Sequence, residues 1–587
     1  MAEAEEEVEE EEVEETEAMG FEDDQHFWQG FRHTVKHPTC NFFEYHRRGL
    51  SRDPTNPWDQ PNNPPLFREP AIPQWDGRYQ VDGRAAIAAQ RAARAGDSQF
   101  GAGADAWADR PGIDPEATAR AVRDRLAQLG VTVRLIKLLG VGGNGVASLY
   151  EVWPDGADGP SKKVVAKSVL KPGRNMAVER LCNLTLKRAG HIVQPLHWGM
   201  EILVTEGMGD NTIQGMINAL APIDNDEALL TLEFMKGGDM HGLIKKLSKD
   251  GEDVPQAVLW RIFFCLVRAC ISMYSPPRTL VRLADGRTAP AQQLQDQFGP
   301  DLDEALAAPY PGSNRPPPGW NFIHFDLDPQ NVLIGEMDSG QHTVAPIFKV
   351  GDLGLGKAVD DPMFEYPEGI WGWRRMGKTY MLLPEQHHKE WDYIQTIPAF
   401  EPHKVAGRYG EWSNIFQIGL TMQSLITKAL PPYPPTPIGP LNSPNPAAPN
   451  LFDTPTPVVI LDSGGTPVPE FYTHGFNLAD ERGIDQNFMH LLLRCLADLP
   501  ADRPPLAELE WLMRRMEGGG GGGMVVPAFA DQFSSSLGPG QYPHDMFATA
   551  ASEVATGVGN DRPPVYISTN RPAAGDSGGN APGPGPG

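Results

Sequence analysis

Apolar positions change their period along the chain, and the changes divide it. The stretches "VTVRLIKLLG" (131–140), "ASLYEVW" (147–153) and "KKVVAKSVL" (162–170) are rich in Val, Leu and Ile, which predicts strands. "ALLTLEFM" (228–235) predicts one more. In contrast, "DPEATARAVRDRLAQLG" (114–130) sets Ala, Val and Leu at helical spacing and closes on Gly, which predicts a helix. "MAVERLCNLTLKRA" (176–189) reads the same way. "VLWRIFFCLVRACISMY" (258–274) and "IFQIGLTMQSLIT" (415–427) are apolar nearly all round, as helices inside a core would be. Strands come first and helices later, which predicts an α+β chain: a β-rich part followed by a helical one.

Elsewhere the pattern is lost. Residues 1–110 pass from acidic to Pro- and Trp-rich to Ala/Arg-rich sequence and are expected to be largely disordered, with a short helix near 84–95. Residues 276–319 and 431–457 are Pro-rich and long for loops of a compact domain, so surface insertions are expected there. A Gly/Pro-rich tail, 517–587, is also expected to be disordered. The 57 prolines and 62 glycines cluster in these stretches, so much of the 587-residue chain is not core. A net charge of −26 argues against nucleic acid or an anionic membrane as partner. Part of that charge lies in "EAEEEVEEEEVEETE" (3–17), either a solvated tail or a docking tail for a basic partner. The five cysteines show no CxxC pairing. The acidic start does not read as a signal peptide and no apolar run is long enough to span a bilayer. Reduced thiols in an intracellular protein, cytoplasmic or nuclear, are therefore expected.

The candidate chemistry lies between these stretches. Gly140, Gly142 and Gly145 have GxGxxG spacing but lead into a strand, which favours a hairpin over phosphates; an ordinary Gly-rich turn is the alternative. Lys167 stands on a predicted strand and Glu179 on the next helix. Paired, they would hold an ammonium over phosphates; singly, each is an ordinary surface charge. In "LTLEFMKGGDM" (230–240) the backbone from Glu233 to Met235 could meet an adenine edge, with Asp239 at a ribose hydroxyl. A strand end with a turn would look the same. "HFDLDPQN" (324–331) brings Asp326 and Asn331, and "FKVGDLGLGK" (348–357) brings Asp352. Phosphoryl transfer needs such a set: one carboxylate to accept the hydroxyl proton, and an amide oxygen and second carboxylate as hard ligands for Mg²⁺.

In this order the motifs resemble those of the eukaryotic protein kinases over 131–516. "LLPEQ" (382–386) is similar to the family's Ala-Pro-Glu segment, and "ADRPPLAEL" (501–509) to the late motif whose arginine pairs with that glutamate, here Arg503 and Glu385. The resemblance implies a two-lobed fold, with a β-rich lobe over 131–235 and a helical lobe over 236–516, and ATP and Mg²⁺ between them. It implies that Gly140, Val141, Gly142, Gly143, Gly145 and Ala147 cover the nucleotide and that Lys167, held by Glu179, contacts its phosphates. Glu233, Met235 and Asp239 would take the nucleoside, behind Leu232 as gatekeeper. Asp326 would be the catalytic base, and Asn331 and Asp352 the metal ligands. A protein substrate and a monomeric kinase domain follow from the same likeness.

Four departures stand out. The family's His-Arg-Asp is His324-Phe325-Asp326, and phenylalanine cannot receive an activation-loop phosphate. Between 352 and 385 there is no Ser and only Thr379, so control by phosphorylation there is not expected, with Tyr366 and Tyr380 left open. The catalytic-loop lysine is Asp328, a carboxylate that would cost about 4 kcal/mol at 4 Å from a phosphate charge at an effective dielectric near 20. The threonine that normally faces it is Lys378, which suggests a charge swap that returns an ammonium to the γ-phosphate. The aspartate that braces the loop is Asn414. "WGWRRMG" (371–377) is either an apolar strap or a substrate-facing patch. His387 and His388, being adjacent, are not expected to share a helix face or a metal. Two rival readings remain: a pseudokinase scaffold with little or no transfer, and a kinase-like enzyme acting on a small molecule.

Overall fold

The computed structural model describes residues 114–517 apart from 142–144, 156–158, 171–174, 206, 278–279, 283–287, 291–303, 307–320, 339–341, 343–344, 359–372, 374–375, 389–404, 432–434, 436, 445–457 and 482. The expectations for 1–110 with its helix near 84–95, for Cys40, Gly142, Gly143 and Tyr366, and for the tail after Glu517 lie outside the described residues.

The described residues are a mixture of helix and sheet, with the four-stranded sheet ahead of the largest helices. Helix α1 (Pro115–Gln128) starts where Asp114 accepts a hydrogen bond from Ala117 N (2.8 Å) and a proline occupies the first turn, which lacks acceptors for its N–H groups. Ala119 and Leu126 are buried, and Tyr150 Oη donates to Ala119 O (2.8 Å). This is the helix expected over 114–130, and it packs on the sheet ahead of residue 131.

Strands β1 (Thr132–Val141), β2 (Val146–Trp153), β3 (Lys162–Ser168) and β4 (Leu229–Glu233) form an antiparallel sheet in the order of the chain. Between β3 and β4 lie α2 (Ala177–Thr185), a π-helical turn at Trp198–Ile202 and α3 (Asp210–Asp224). No helix was expected at α3: it carries Pro222 inside it and, for all its apolar residues, buries only Leu220 and Ile223. Those two join Tyr150, Val152, Val164, Trp198 and Leu229 in one apolar cluster under the sheet.

A second, larger cluster holds the rest together. Helix α4 (Met240–Asp250) is capped by Asp239, which accepts from Gly242 N (2.7 Å). Helix α5 (Gln256–Tyr274) is the core helix, buried on every face from Ala257 to Met273 except at Arg261. Among the described residues it is the one helix long and apolar enough to cross a membrane by length and composition, and 83% of that apolar window is buried inside the fold. Then follow the short strands β5 (Leu280–Arg282), β6 (Thr288–Pro290), β7 (Phe322–Ile323), β8 (Val332–Ile334), β9 (Phe348–Val350) and β10 (Lys357–Ala358), and the one-turn helix α6 (Pro384–His387). Helix α7 (Glu411–Thr427) packs on α5, and β11 (Ile438–Leu441), β12 (Phe471–Thr473), α8 (Gln486–Cys495) and α9 (Leu506–Glu517) complete the chain.

The two Pro-rich stretches are not wholly superficial. Glu304 and Ala305, inside 276–319, are 2% and 7% exposed, and Leu306 N donates to Glu510 Oε1 (3.1 Å). In 431–457, β11 pairs with β12 and buries Ile438 and Leu441. Proline frequency misled here because an edge strand tolerates proline without losing its buried face.

One ion pair ties three distant parts of the helical region together. Arg503 Nη1 and Nη2 donate to Glu385 Oε1 and Oε2 (2.8 and 2.9 Å), with both side chains fully buried. Ser413 Oγ adds a bond to Glu385 (2.8 Å), and the guanidinium lies 4.7 Å from the Phe416 ring. Removing one member strands the other charge away from water, which typically costs about 3–5 kcal/mol. Arg503→Ala is expected to lose that much stability in urea denaturation; a change below about 1 kcal/mol would mean that water reaches Glu385.

Candidate active site

Lys167 lies on β3 opposite Ala147 of β2, at the end of the sheet where the β1–β2 hairpin turns. Its Nζ donates to both carboxylate oxygens of Glu179 (2.8 Å each) and to Asp352 Oδ1 (2.7 Å). Glu179 can face inward because α2 presents Glu179, Cys182 and Asn183 on its buried side. Burial works against the Lys167 ammonium, but Asp352 and Glu179 outweigh it and its pKa is raised. Burial likewise raises the Glu179 carboxyl against the pull of Lys167. At Asp352 the lysine wins: burial pushes its carboxyl up, yet Lys167 holds it at about 2. Asp352 takes φ +53°, a conformation that few non-glycine residues adopt without support.

The loop 324–331 runs from β7 to β8 and is fixed by side chains reaching into its backbone. Asn414 accepts from His324 N (3.0 Å) and donates to Phe322 O (2.7 Å); an aspartate could not do both. Gln417 Nε2 donates to Phe325 O (2.9 Å). His324 Nε2 bonds Gly351 O (2.9 Å) and its Nδ1 accepts from Asp326 N (3.2 Å), so the loop is tied to the strand end that bears Asp352.

Asn331 Nδ2 donates to Asp326 O (2.7 Å) and Asp326 Oδ2 (3.0 Å). That turns the Asn331 amide oxygen away from Asp326 and leaves it free for a cation. Asp326 Oδ1 is buried with no hydrogen-bond partner. An unpaired buried oxygen is costly, and it is what a base awaiting a hydroxyl proton presents. Burial pushes the Asp326 carboxyl up to about 7, with Lys378 opposing and Asp328 and Asp352 adding to the rise.

Asp328 and Lys378 meet. Lys378 Nζ donates to Asp328 Oδ2, and Tyr380 Oη approaches the same oxygen (3.4 Å). Asp328 Oδ1 accepts from Gln330 N (3.0 Å) and Asn331 N (3.1 Å). The carboxylate is 1% exposed and the lysine 27%, so the pair opens to solvent on the lysine side. Burial disfavours the Lys378 ammonium, but Asp328 and then Asp326 overcome it and the pKa is raised. Gly377 has φ +88° and lies so close to the loop that a Cβ would come within 2.2 Å of Phe325 O.

The remaining expected residues are distributed as follows. Gly140 is the last residue but one of β1 and Gly145 precedes β2; Val141 pairs with Val146, so this segment is a hairpin and not a strand-to-helix turn. A Cβ on Gly145 would strike Ser168 O at 2.3 Å, so the glycine serves close packing against β3. Leu232 pairs with Val165 across β3 and β4. The Glu233 side chain is taken by Lys349 Nζ (2.8 and 3.0 Å) and Gln194 N (2.8 Å), and Met235 is buried. Asp239 caps α4 while burial raises its carboxyl to about 6.

Phe325 (φ +64°) is fully buried, with its ring 5.6 Å from Trp373 and 5.2 Å from Tyr409. Trp373 of "WGWRRMG" is thus part of an apolar clasp. His387 and His388 both lie near the pair His474–Asp498. Helix α6 ends at His387, and the extended His388 approaches Asp498 (3.8 Å), which His474 also binds (2.9 Å), while His387 packs on the His474 ring.

No protein-family model matches the chain. Gln417 is a site residue that motif spacing missed, because it acts through the Phe325 carbonyl; the contact of Tyr380 with Asp328 was not foreseen either.

The raised Asp326 carboxyl has a consequence for stability. Its folded pKa lies above the ordinary aspartate value, so its contribution is fully present below about pH 4 and is lost as pH rises through about 7. Without ligand, the melting temperature of the wild type relative to Asp326→Asn is expected to fall between pH 5 and 8; an unchanged difference would show that water reaches the carboxylate.

Proposed function

We propose that this protein is an ATP- and Mg²⁺-dependent protein kinase that transfers the γ-phosphate to a protein hydroxyl, of Ser or Thr, within a two-lobed kinase arrangement. The observation that carries the reading is the Lys378–Asp328 pair beside Asp326 Oδ1, a buried oxygen without a partner. A lone Asp328 would repel a phosphate; paired, its charge is cancelled and an ammonium stands at the loop instead. The sheet ahead of the helical core, Lys167 on Glu179, and Arg503 on Glu385 are consistent with the same arrangement.

On this reading Asp326 accepts the hydroxyl proton through Oδ1 and Lys378 stabilises charge developing on the transferred group. Lys167 fixes the nucleotide phosphates. The hard oxygens of Asn331 and Asp352 suit Mg²⁺, which would neutralise phosphate charge between them. Asp352 fits this role because it is ionised and 44% exposed, with one oxygen on Lys167 and the other left over. Phe325 in its aromatic clasp supports a site that operates without a loop phosphate.

A second reading, a nucleotide-binding scaffold that transfers no phosphate, draws on the acid at 328. Mutagenesis in the full chain separates the two. Lys378→Ala is expected to lower kcat by about a hundredfold, in the range of a lost transition-state donor, while Asp328→Asn stays within about tenfold of wild type. Asp326→Ala should abolish transfer yet keep the Mg·ATP-induced rise in melting temperature. Wild-type activity in Lys378→Ala would sink the charge swap, and nucleotide binding without any Asp326-dependent transfer would favour the scaffold.

A further inference from the structure

Behind β9, away from the cleft, three buried side chains converge that phosphoryl transfer does not use. His191 follows α2, Cys265 lies on α5 and His342 precedes β9. They are 2%, 3% and 7% exposed, and one ligand atom from each lies within 4.8 Å of the other two. Cys265 Sγ is 4.0 Å from His342 Nδ1, and the two imidazole rings are 5.3 Å apart.

A fourth buried group fixes the geometry. Glu304 Oε2 is 2.6 Å from His191 Nδ1, and Glu304 Oε1 accepts from His191 N (2.8 Å) and Ser272 Oγ (3.3 Å). With Nδ1 committed, His191 Nε2 is the ring atom left, and it is buried with no hydrogen-bond partner. A carboxylate on one imidazole nitrogen with the other aimed at a thiol is how metal-binding histidines are oriented. Buried imidazole nitrogens are usually partnered, so an unsatisfied Nε2 beside a thiol marks a place for a ligand.

We propose that His191, Cys265 and His342 bind one zinc ion, with Glu304 as the carboxylate that orients His191. One sulfur and two imidazoles suit zinc, and a water molecule completes the tetrahedron. Zinc–sulfur and zinc–nitrogen bonds of about 2.3 and 2.0 Å put sulfur and nitrogen about 3.5 Å apart, so the 4.0 Å separation closes with small side-chain rotations. Binding needs the thiolate, and a zinc ion entering the site would displace the thiol proton. The thiolate and Glu304 both offset the dication, while the Arg268 guanidinium also acts on Glu304.

The site is a staple. His191 O accepts from Val350 N (2.8 Å), and Val350 O accepts from Val193 N (2.9 Å), just ahead of Asp352. Zinc would join α5, the His191 turn and the β8–β9 connection at the base of the Asp352 loop. It stands independently of the phosphotransfer reading and holds even if the cleft is inert.

The test uses the full chain, purified without a polyhistidine tag. About one zinc per chain is expected by metal analysis. Zinc added to chelator-stripped protein at about a hundredfold over its dissociation constant should raise the melting temperature by about 3 °C. Cobalt(II) in its place should give thiolate-to-metal charge-transfer absorption. Cys265→Ala should lose all three signals. His342→Gln, which keeps the thiol, should lose the zinc-dependent shift, and it carries the test if Cys265→Ala fails to fold. Absence of zinc from the wild type together with no shift would overturn the proposal. So would an equal shift in wild type and His342→Gln, since that would place the zinc elsewhere, for instance on the acidic segment 3–17.

Discussion

A carboxylate shut away from water must be answered by a cation or by backbone amides, and Asp328 is answered by both. One oxygen receives the Gln330 and Asn331 N–H groups and thereby shapes the turn; the other receives Lys378. The turn aims Asn331, and Asn331 holds Asp326. Lys378 draws in Gly377, which must be glycine to lie against Phe325 O. The loop, the segment after it and the candidate base are thus consequences of one neutralised charge. Asp328 matters more as the keystone of this geometry than as the odd residue in a motif.

Strain gathers at the same place. Phe325 and Asp352 both sit at positive φ, at about 1–3 kcal/mol each. Each is held by bonds that only a formed core can supply: Gln417 from α7 onto Phe325 O, and His324 onto Gly351 O beside Asp352. The helical core is therefore rigid support for a site whose backbone would relax if left alone. Asn414 belongs to that support, because its amide both donates and accepts where a carboxylate would only accept.

Much of this was legible in the sequence where the signal is local or ordered. The strands from 131 to 168 and the buried helices α5 and α7 follow from their apolar pattern. The pairs Lys167–Glu179 and Glu385–Arg503 came from motif order, since nothing local announces them. What was missed has a common cause. Helix α3 lacks a strong apolar face, and Glu304 sits in a stretch whose prolines suggested surface. His191, Cys265 and His342 come from three separate elements, and spacing rules see only ligands that are near in sequence. The sequence likewise revealed what Phe325 cannot do, but not that Trp373 and Tyr409 would enclose it.

That enclosure has its own thermodynamics. A guanidinium–phosphate clasp is electrostatic: it weakens in salt and is made or broken with the phosphate. Three packed aromatic rings are nearly indifferent to ionic strength, and no enzyme can erase them. Their association is entropic near room temperature and carries a negative heat capacity. The grip on the Trp373 segment therefore firms on warming and slackens in the cold, which makes temperature rather than charge the variable to which this part of the fold responds.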